Sequence, residues 1–264
     1  MIRLGQYLPG DTIIHRLDPR VKILSLVALS TLIFGATRAE ILLISLLLAA
    51  VLAAARITPA QTVTALRPVA FFIAVIFLVH LLFTEGRPLM SFNPFPAGIT
   101  REGIVRGIYV SWQFACLVLG GAVLTMTTSP SDLVGAIERL LRPFSRLGIP
   151  SHDIAVMIAM ALRFVPMLLE EYERLRTAQM ARGADFARGS LRVRARAVST
   201  LAVPLLLSSF RRADELVLAM EARGYRRGPR TTLREQALSV RDLGAFAVMA
   251  AFVLANVALR VAAG

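Results

Sequence analysis

Five apolar runs constrain the fold of this chain more than any other feature of its sequence. They cover residues 21–36, 41–55, 69–83, 103–128 and 243–263. A helix needs about 20 mostly apolar residues to cross a bilayer, so the first two runs need their flanking residues to complete a crossing. Hydrophobic residues make up 56% of the chain, which exceeds ordinary globular usage. The sequence therefore predicts an all-α integral membrane protein with about five transmembrane helices.

The distribution of charge predicts which side of the membrane each loop faces. The formal net charge is +13, and Lys22 is the only lysine, so nearly all of the positive charge is arginine. Basic residues cluster at 16–22, 56–67 and 139–241, between the apolar runs. By the positive-inside rule these segments face the cytoplasm and its anionic headgroups. We therefore predict five crossings with the amino end inside.

Residues 129–241 differ from the spans before them, because they carry 19 arginines against 11 acidic residues. We expect a capped helix over 133–147, a long helix over 154–183, a basic link over 188–196 and then a second long helix. Arg163 interrupts the apolar part of the first long helix, and an arginine at the bilayer centre costs about 2.5–3.5 kcal/mol. The first long helix is therefore expected to enter from the cytoplasmic side, packed on the true spans.

One phrase, A-x-x-A-R-G, closes both long helical stretches. The first copy ends in Ala181-Arg182-Gly183, and the second ends in Ala222-Arg223-Gly224. Each copy follows an apolar run that contains a proline, Pro166 or Pro204, and then a charged stretch. Glycine suits the left-handed position after a helix, and an arginine in the last turn favours the negative end of the helix dipole.

Two interpretations of this phrase remain open on the residues alone. A single A-R-G is an ordinary helix ending in a chain rich in alanine and arginine. Two copies with matching segments before them favour a pair of helix tips that insert into a partner, each with one cation at its end. The arginine fork holds a carboxylate through two parallel hydrogen bonds, which suits that role.

The sequence offers little for an enzyme. The sole lysine lies outside any G-x-x-x-x-G-K-[ST] loop, so the chain has no phosphate-binding loop for ATP hydrolysis. His15, His80 and His152 are far apart in the sequence, and no zinc site is predicted from them. Cys116 is the single cysteine, which excludes an intrachain disulfide. We therefore predict a non-catalytic protein without a cofactor or a metal site.

The opening of the chain and the two triplets together resemble one family. Residues 6–11 read Q-Y-L-P-G-D, and residues 15–22 read H-R-L-D-P-R-V-K. With A-R-G at 181–183 and 222–224, this combination resembles the transmembrane T component of energy-coupling factor (ECF) transporters over the whole chain.

This resemblance implies a division of the chain into three parts. Residues 1–128 would form an N-terminal membrane region with four transmembrane helices. Residues 129–241 would form a cytoplasmic coupling-helix region that carries the two Ala-Arg-Gly motifs, and residues 242–264 a C-terminal transmembrane helix. The protein would be a multi-pass protein of a prokaryotic plasma membrane.

The resemblance also implies the partners. In such transporters the T component joins two ABC-type ATPase subunits, identical or homologous, to a membrane-embedded substrate-binding S component, and ATP drives uptake. Each A-R-G tip docks in a groove of one ATPase, where Arg182 or Arg223 meets carboxylates. The Q-Y-x-P-G-D opening is more like the shared type of T component, which serves several vitamin S components, than the dedicated cobalt, nickel or biotin type, which remains an alternative.

Other classes of function fit the sequence less well. A membrane-anchored interaction or nucleic-acid protein would use the arginine-rich link, but that link lacks the interleaved aromatic residues and the fold signature of nucleic-acid binding. A channel or a secondary transporter would need more ionisable residues at mid-membrane than the apolar runs contain. We therefore expect protein partners and the lipid bilayer, and no nucleic acid.

Overall fold

A computed structural model of the chain describes residues 7–90, 99–143, 151–184, 186, 191–225 and 239–263. These residues are almost entirely helical, which confirms the predicted all-α class. The chain forms two compact units. One comprises Arg3–Ala136 with Gln236–Gly264, and the other comprises Ile137–Glu235.

The first five helices belong to the first unit and overlap the first four predicted apolar runs. They are α1 (Pro19–Phe34), α2 (Arg38–Ala54), α3 (Pro59–Leu66), α4 (Ala70–Phe83) and α5 (Arg101–Thr127). A 3₁₀ turn, Arg67–Val69, joins α3 to α4. Two short antiparallel strands, β1 (Pro88–Met90) and β2 (Ile99–Thr100), pair in the connection between α4 and α5.

The second half of the chain begins with α6 (Pro130–Leu141), which starts in the first unit and ends in the second. The second unit contains the long helices α7 (Ser151–Ala181) and α8 (Leu191–Ala222), and α9 (Val240–Ala263) returns to the first unit.

Local sequence signals place the helix starts. Asp18 caps α1, since its Oδ1 accepts from Arg20 N at 2.9 Å. Ser129 caps α6, since its Oγ accepts from Asp132 N at 3.2 Å and donates to the Asp132 carboxylate at 2.6 Å. The cap of α6 was predicted. The helix over 133–147 ends at Leu141, earlier than predicted, and positions 144–150 lie outside the described residues.

Among the described residues, three helical segments are long and apolar enough to cross a membrane: Pro59–Phe83, Arg101–Thr127 and Val240–Val261. They cover the third predicted run and nearly all of the fourth and fifth. Helices α1 and α2 have 16 and 17 residues, which at a rise of 1.5 Å per residue is about 25 Å. This length falls short of the hydrocarbon core of about 30 Å. Crossing by these two helices remains a prediction.

The third predicted span, 69–83, matches α4, which begins at Ala70 and ends at Phe83. Helix α3 precedes it, and its start is fixed by a reciprocal cap in which Gln61 Oε1 accepts from Thr58 N at 2.8 Å. One predicted boundary is wrong. The basic link was predicted over 188–196, but α8 begins at Leu191. Arginine is a good helix former, so a run of basic residues does not by itself interrupt a helix.

Helix α5 approaches α4 closely because two glycines face it. A Cβ atom added at Gly103 would lie 2.8 Å from His80 O, and one added at Gly107 would lie 3.1 Å from the Phe77 ring. Both contacts are too tight for a larger residue without a shift. Small residues four apart are the usual means by which membrane helices bring their backbones together.

One end of the first unit is held by a buried ion pair. The Glu40 side chain is 1% exposed, and both of its oxygens accept from Arg260 Nε at 3.1 Å. Arg260 Nη2 also donates to Leu32 O at 3.0 Å, and Gln113 Nε2 donates to Ile33 O at 2.9 Å. The start of α2, the end of α1 and the end of α9 are therefore joined through one guanidinium.

Replacement of Arg260 by glutamine should destabilise the protein, because it leaves the Glu40 carboxylate buried without its cation. Breaking a buried pair costs about 3–5 kcal/mol, and we expect the lower end because the Arg260 side chain is 37% exposed. Thermal unfolding in detergent, followed by the fluorescence of Trp112, measures the loss. Arg38→Gln, an exposed arginine at the start of α2, is the control. Equal unfolding temperatures for the two variants would contradict the structural role of the pair.

Candidate functional site

Both A-R-G triplets lie at the ends of long helices, as predicted. Helix α7 ends at Ala181, and helix α8 ends at Ala222. The glycine of each triplet has a positive φ, +87° at Gly183 and +72° at Gly224. This left-handed conformation costs other L-residues roughly 1–2 kcal/mol. A Cβ atom at either glycine would meet no atom within 4 Å, so the backbone, and not the available space, calls for glycine here.

The first tip closes its helix with two backbone hydrogen bonds. Gly183 N donates to Met180 O at 3.0 Å, and Ala184 N donates to Gln179 O at 3.0 Å. These two bonds are the 5→2 and 6→1 pairs of a Schellman motif, which satisfies carbonyls that a helix end otherwise leaves without partners. The tip is therefore a fixed end rather than a fraying one.

The second tip has the same pattern. Gly224 N donates to Glu221 O at 2.9 Å, and Tyr225 N donates to Met220 O at 2.9 Å. The two tips thus share one backbone geometry, and each places its arginine one residue before the glycine. A partner that recognises one tip meets the same arrangement at the other.

The six triplet residues are all exposed. Within the part of the chain that the structure describes, the side chains of Arg182 and Arg223 have no hydrogen-bond or ion-pair partner. Arg174 and Arg176 of α7, in contrast, each lie within 4.0 Å of a glutamate on the same helix. Each tip therefore presents a guanidinium whose donors are available to a carboxylate or a phosphate.

One ion pair joins α7 to α8. Arg212 Nη2 donates to Glu171 Oε2, and Ser208 Oγ donates to Glu171 Oε1 at 3.1 Å. Glu171 precedes Gly183 by the same sequence interval as Arg212 precedes Gly224. Equivalent positions of the two repeated segments are therefore in contact. Each tip lies about 18 Å beyond this contact along its own helix, at a rise of about 1.5 Å per residue.

Sequence reasoning did not find this ion pair. It recognised the charged turns before each triplet but did not pair a residue of one with a residue of the other. The sequence did contain an indication of this pair. The sequence interval from the first triplet to the second equals the interval from Glu171 to Arg212, and these two residues have opposite charges.

Large apolar side chains remain exposed along both long helices. On α7 they are Met157, Ile158, Leu162, Met167 and Met180, and on α8 they are Val198, Val203, Leu206, Leu207, Phe210, Val217 and Leu218. Apolar surface of this extent marks contact with lipid or with another protein.

The side chains of His15 and His80 have structural partners. The His15 ring nitrogens lie 2.7 Å from Thr12 Oγ1 and 3.1 Å from Leu8 O, and His80 Nδ1 lies 2.9 Å from Ile76 O. In the described ranges no group of three or more His, Cys, Asp or Glu residues is placed to hold a metal ion. The Ala-Arg-Gly tips are therefore the candidate functional site.

The sequence is similar to a group of bacterial membrane proteins. Residues 10–233 match the family model CbiQ, described as cobalt transport protein. The chain is 41% identical over 252 residues to the energy-coupling factor transporter transmembrane protein EcfT of Thermosediminibacter oceani, which covers 93% of this chain and 92% of that protein. It is 43% identical over 256 residues to EcfT of Heliobacterium modesticaldum, with 96% of each chain covered. It is 38% identical over 265 residues to EcfT of Bacillus selenitireducens, with 100% of this chain and 98% of that protein covered.

Proposed function

The chain belongs to the CbiQ/EcfT family of transmembrane components of energy-coupling factor transporters, and we propose that it couples two ATPase subunits to a substrate-binding S component during uptake. In this role the chain itself is not catalytic. It transmits the ATP-driven movement of its partners to the membrane.

The observation that carries the proposal is the equivalence of the two tips. Arg182 and Arg223 follow helices of similar length and precede glycines in the same conformation, and their side chains have no partner among the described residues. Two helix tips with the same geometry suit two similar binding sites, one on each of two identical or homologous ABC-type ATPase subunits. In each acceptor groove, carboxylates would pair with the guanidinium fork, an arrangement that lysine does not reproduce.

The contact between Glu171 and Arg212 supports transmission between the tips. A displacement at one tip is carried along a helix of fixed length to this contact and from there to the other helix. We propose that the pair keeps the two tips at a fixed spacing, so that closure of the two ATPases moves α7 and α8 together.

The exposed apolar faces of α7 and α8 support a partner that lies in the membrane. Phe210, Leu206 and Leu207 of α8 are each more than half exposed, and an S component buried in the bilayer would cover such surface. The tips and the amino end then face the cytoplasm, where ATP is available and where the positive-inside rule places their arginines.

In the proposed transporter, the S component and not this chain determines which substrate is transported. Tyr7 to Asp11, within the Q-Y-L-P-G-D opening, favour the shared type of T component, which serves several vitamin S components. A dedicated cobalt, nickel or biotin transporter is the second candidate, and the description of the matching family model as cobalt transport protein favours it. Identification of the S components that co-purify with the tagged chain separates the two.

Arg182→Ala and Arg223→Ala should each weaken binding of the ATPases while the protein remains inserted and folded. Removal of one partner from a buried charge pair at an interface costs about 2–5 kcal/mol, which corresponds to well over tenfold in affinity. Pull-down of the ATPases with each variant, alongside substrate uptake, measures the effect. Lysine at either position should restore binding only in part, because it keeps the charge and loses the fork.

The matched controls are Arg174→Ala on α7 and Arg211→Ala on α8, two exposed arginines in the same helices as the tips. A single loss from an exposed charged face typically changes stability or binding by less than about 1 kcal/mol. If the Arg182 and Arg223 variants bind the ATPases as well as these controls do, the triplets are ordinary helix endings.

The proposed orientation predicts a labelling pattern. In a background without Cys116, single cysteines placed at positions 88–98 should react with a membrane-impermeant reagent added outside whole cells. Cysteines at positions 188–196 should react only after the membrane is opened. The opposite pattern would refute a cytoplasmic location for the tips.

A further inference from the structure

A cavity of about 350 Å³ lies in the first unit among α1, α2, α5 and α9. Most of its lining is apolar, with Leu29 of α1, Leu48 of α2 and Met249 of α9 among the contributors. Two cations, Lys22 and Arg241, also belong to the lining. An apolar cavity with positive charge in its wall is the form expected of a site for an amphiphile.

The charge lies at one end of the cavity. Lys22 is in the first turn of α1, Arg241 is the second residue of α9, and Thr127 is the last residue of α5. The apolar lining continues to Leu29 and Met249, seven and eight residues further along their helices. At 1.5 Å per residue the cavity therefore runs about 10–12 Å from a charged end at the helix termini into the apolar part of the unit.

The two cations play different parts. Lys22 Nζ donates to His15 O at 3.3 Å, to Thr127 O at 2.9 Å and to Thr128 Oγ1 at 3.2 Å, so its three hydrogens are used. Its charge is fixed in place, but it has no donor left for a ligand. Arg241 is exposed and has no partner within the described ranges, so its guanidinium is available to an anion.

The neighbouring carboxylates are already engaged. Asp18 Oδ2 lies 3.2 Å from Arg20 Nη2. Asp242 Oδ1 accepts from Asp18 N at 2.7 Å, and its Oδ2 accepts from Ser239 N and Oγ, each at 2.7 Å. Asp132, whose charge also acts on Lys22, accepts from Ser129 Oγ at 2.6 Å. These acidic groups already have protein partners, which leaves the exposed Arg241 as the group available to an incoming ligand.

The cavity reaches the surface of the unit, because Ile13 and Val248 line it and are 69% and 63% exposed. In a membrane protein such an opening meets lipid chains, which fill apolar space that water does not. Basic pockets between membrane helices on the cytoplasmic side bind anionic headgroups, and a guanidinium fork matches a phosphate.

We propose that this cavity binds an anionic glycerophospholipid, with one acyl chain between α1, α2, α5 and α9 and with the phosphate on Arg241 in the field of Lys22. A zwitterionic phospholipid has the same chains and phosphate, but its own cation offsets the attraction. The site therefore selects by headgroup charge. This inference is independent of the coupling role, since it concerns the first unit and its readout needs no ATPase.

Native mass spectrometry of the purified full chain in detergent tests the proposal. The protein is offered equal amounts of phosphatidylglycerol and phosphatidylcholine with the same acyl chains. We expect the unaltered chain to retain phosphatidylglycerol about fivefold over phosphatidylcholine. This ratio corresponds to the attraction between one basic residue and an anionic headgroup. Arg241→Gln should abolish this preference, and Arg101→Gln, an exposed arginine at the start of α5, should keep it.

A second variant tests the apolar part of the site. Ala245 lines the cavity, and Ala245→Trp would occupy it, so this variant should lose bound lipid of both kinds. Equal retention of the two lipids by the unaltered chain would overturn the proposal, because it means that only the chains are recognised. So would an unchanged preference in Arg241→Gln. Because Arg241 is exposed, misfolding would not account for a lost preference in this variant.

Discussion

In the proposed function, the movement of the two long helices depends on the contact between Glu171 and Arg212. It joins α7 to α8 at equivalent positions, the same sequence interval before each terminal glycine. Because both helices continue without a break from this contact to their ends, the contact sets the distance each tip extends. The Schellman motifs then fix the orientation of the tips, so that Arg182 and Arg223 are presented on ends of the same backbone form. Two equivalent tips on helices joined at one contact suit a protein that must engage two similar partners at once.

The first unit uses different means to hold its helices. The Glu40–Arg260 pair joins three helix ends, and the glycines of α5 allow α4 to approach closely. Lys22 fixes the amino end to the end of α5 through the carbonyl of Thr127. These contacts involve buried polar groups that have to be paired, because an unpaired charge in an apolar environment is costly. The exposed arginines at the tips have no such requirement and remain available to partners.

The features of helix ends were predictable from the sequence, whereas contacts between residues far apart in the sequence were not. The caps at Asp18 and Ser129 and the left-handed glycines at the tips depend on residues within one turn, so the sequence identifies them directly. The Glu171–Arg212 pair has a sequence separation of 41, and the Glu40–Arg260 pair has one of 220. Such pairs depend on how helices pack, which periodicity does not specify. The start of α8 was misplaced for a related reason, since a basic run that reads as a link also forms a helix.

The proposed coupling of the two tips through Glu171 and Arg212 is tested most directly by the uptake achieved per ATP hydrolysed. The assay uses liposomes that contain the chain with its proposed partners, two ATPase subunits and an S component. Glu171→Arg and Arg212→Glu should each lower this ratio several-fold while the ATPases remain bound, because like charges then face each other at the contact. The double variant exchanges the two charges and should restore the ratio. An unchanged ratio in the single variants, or a double variant as poor as either one, would show that this contact does not couple the tips.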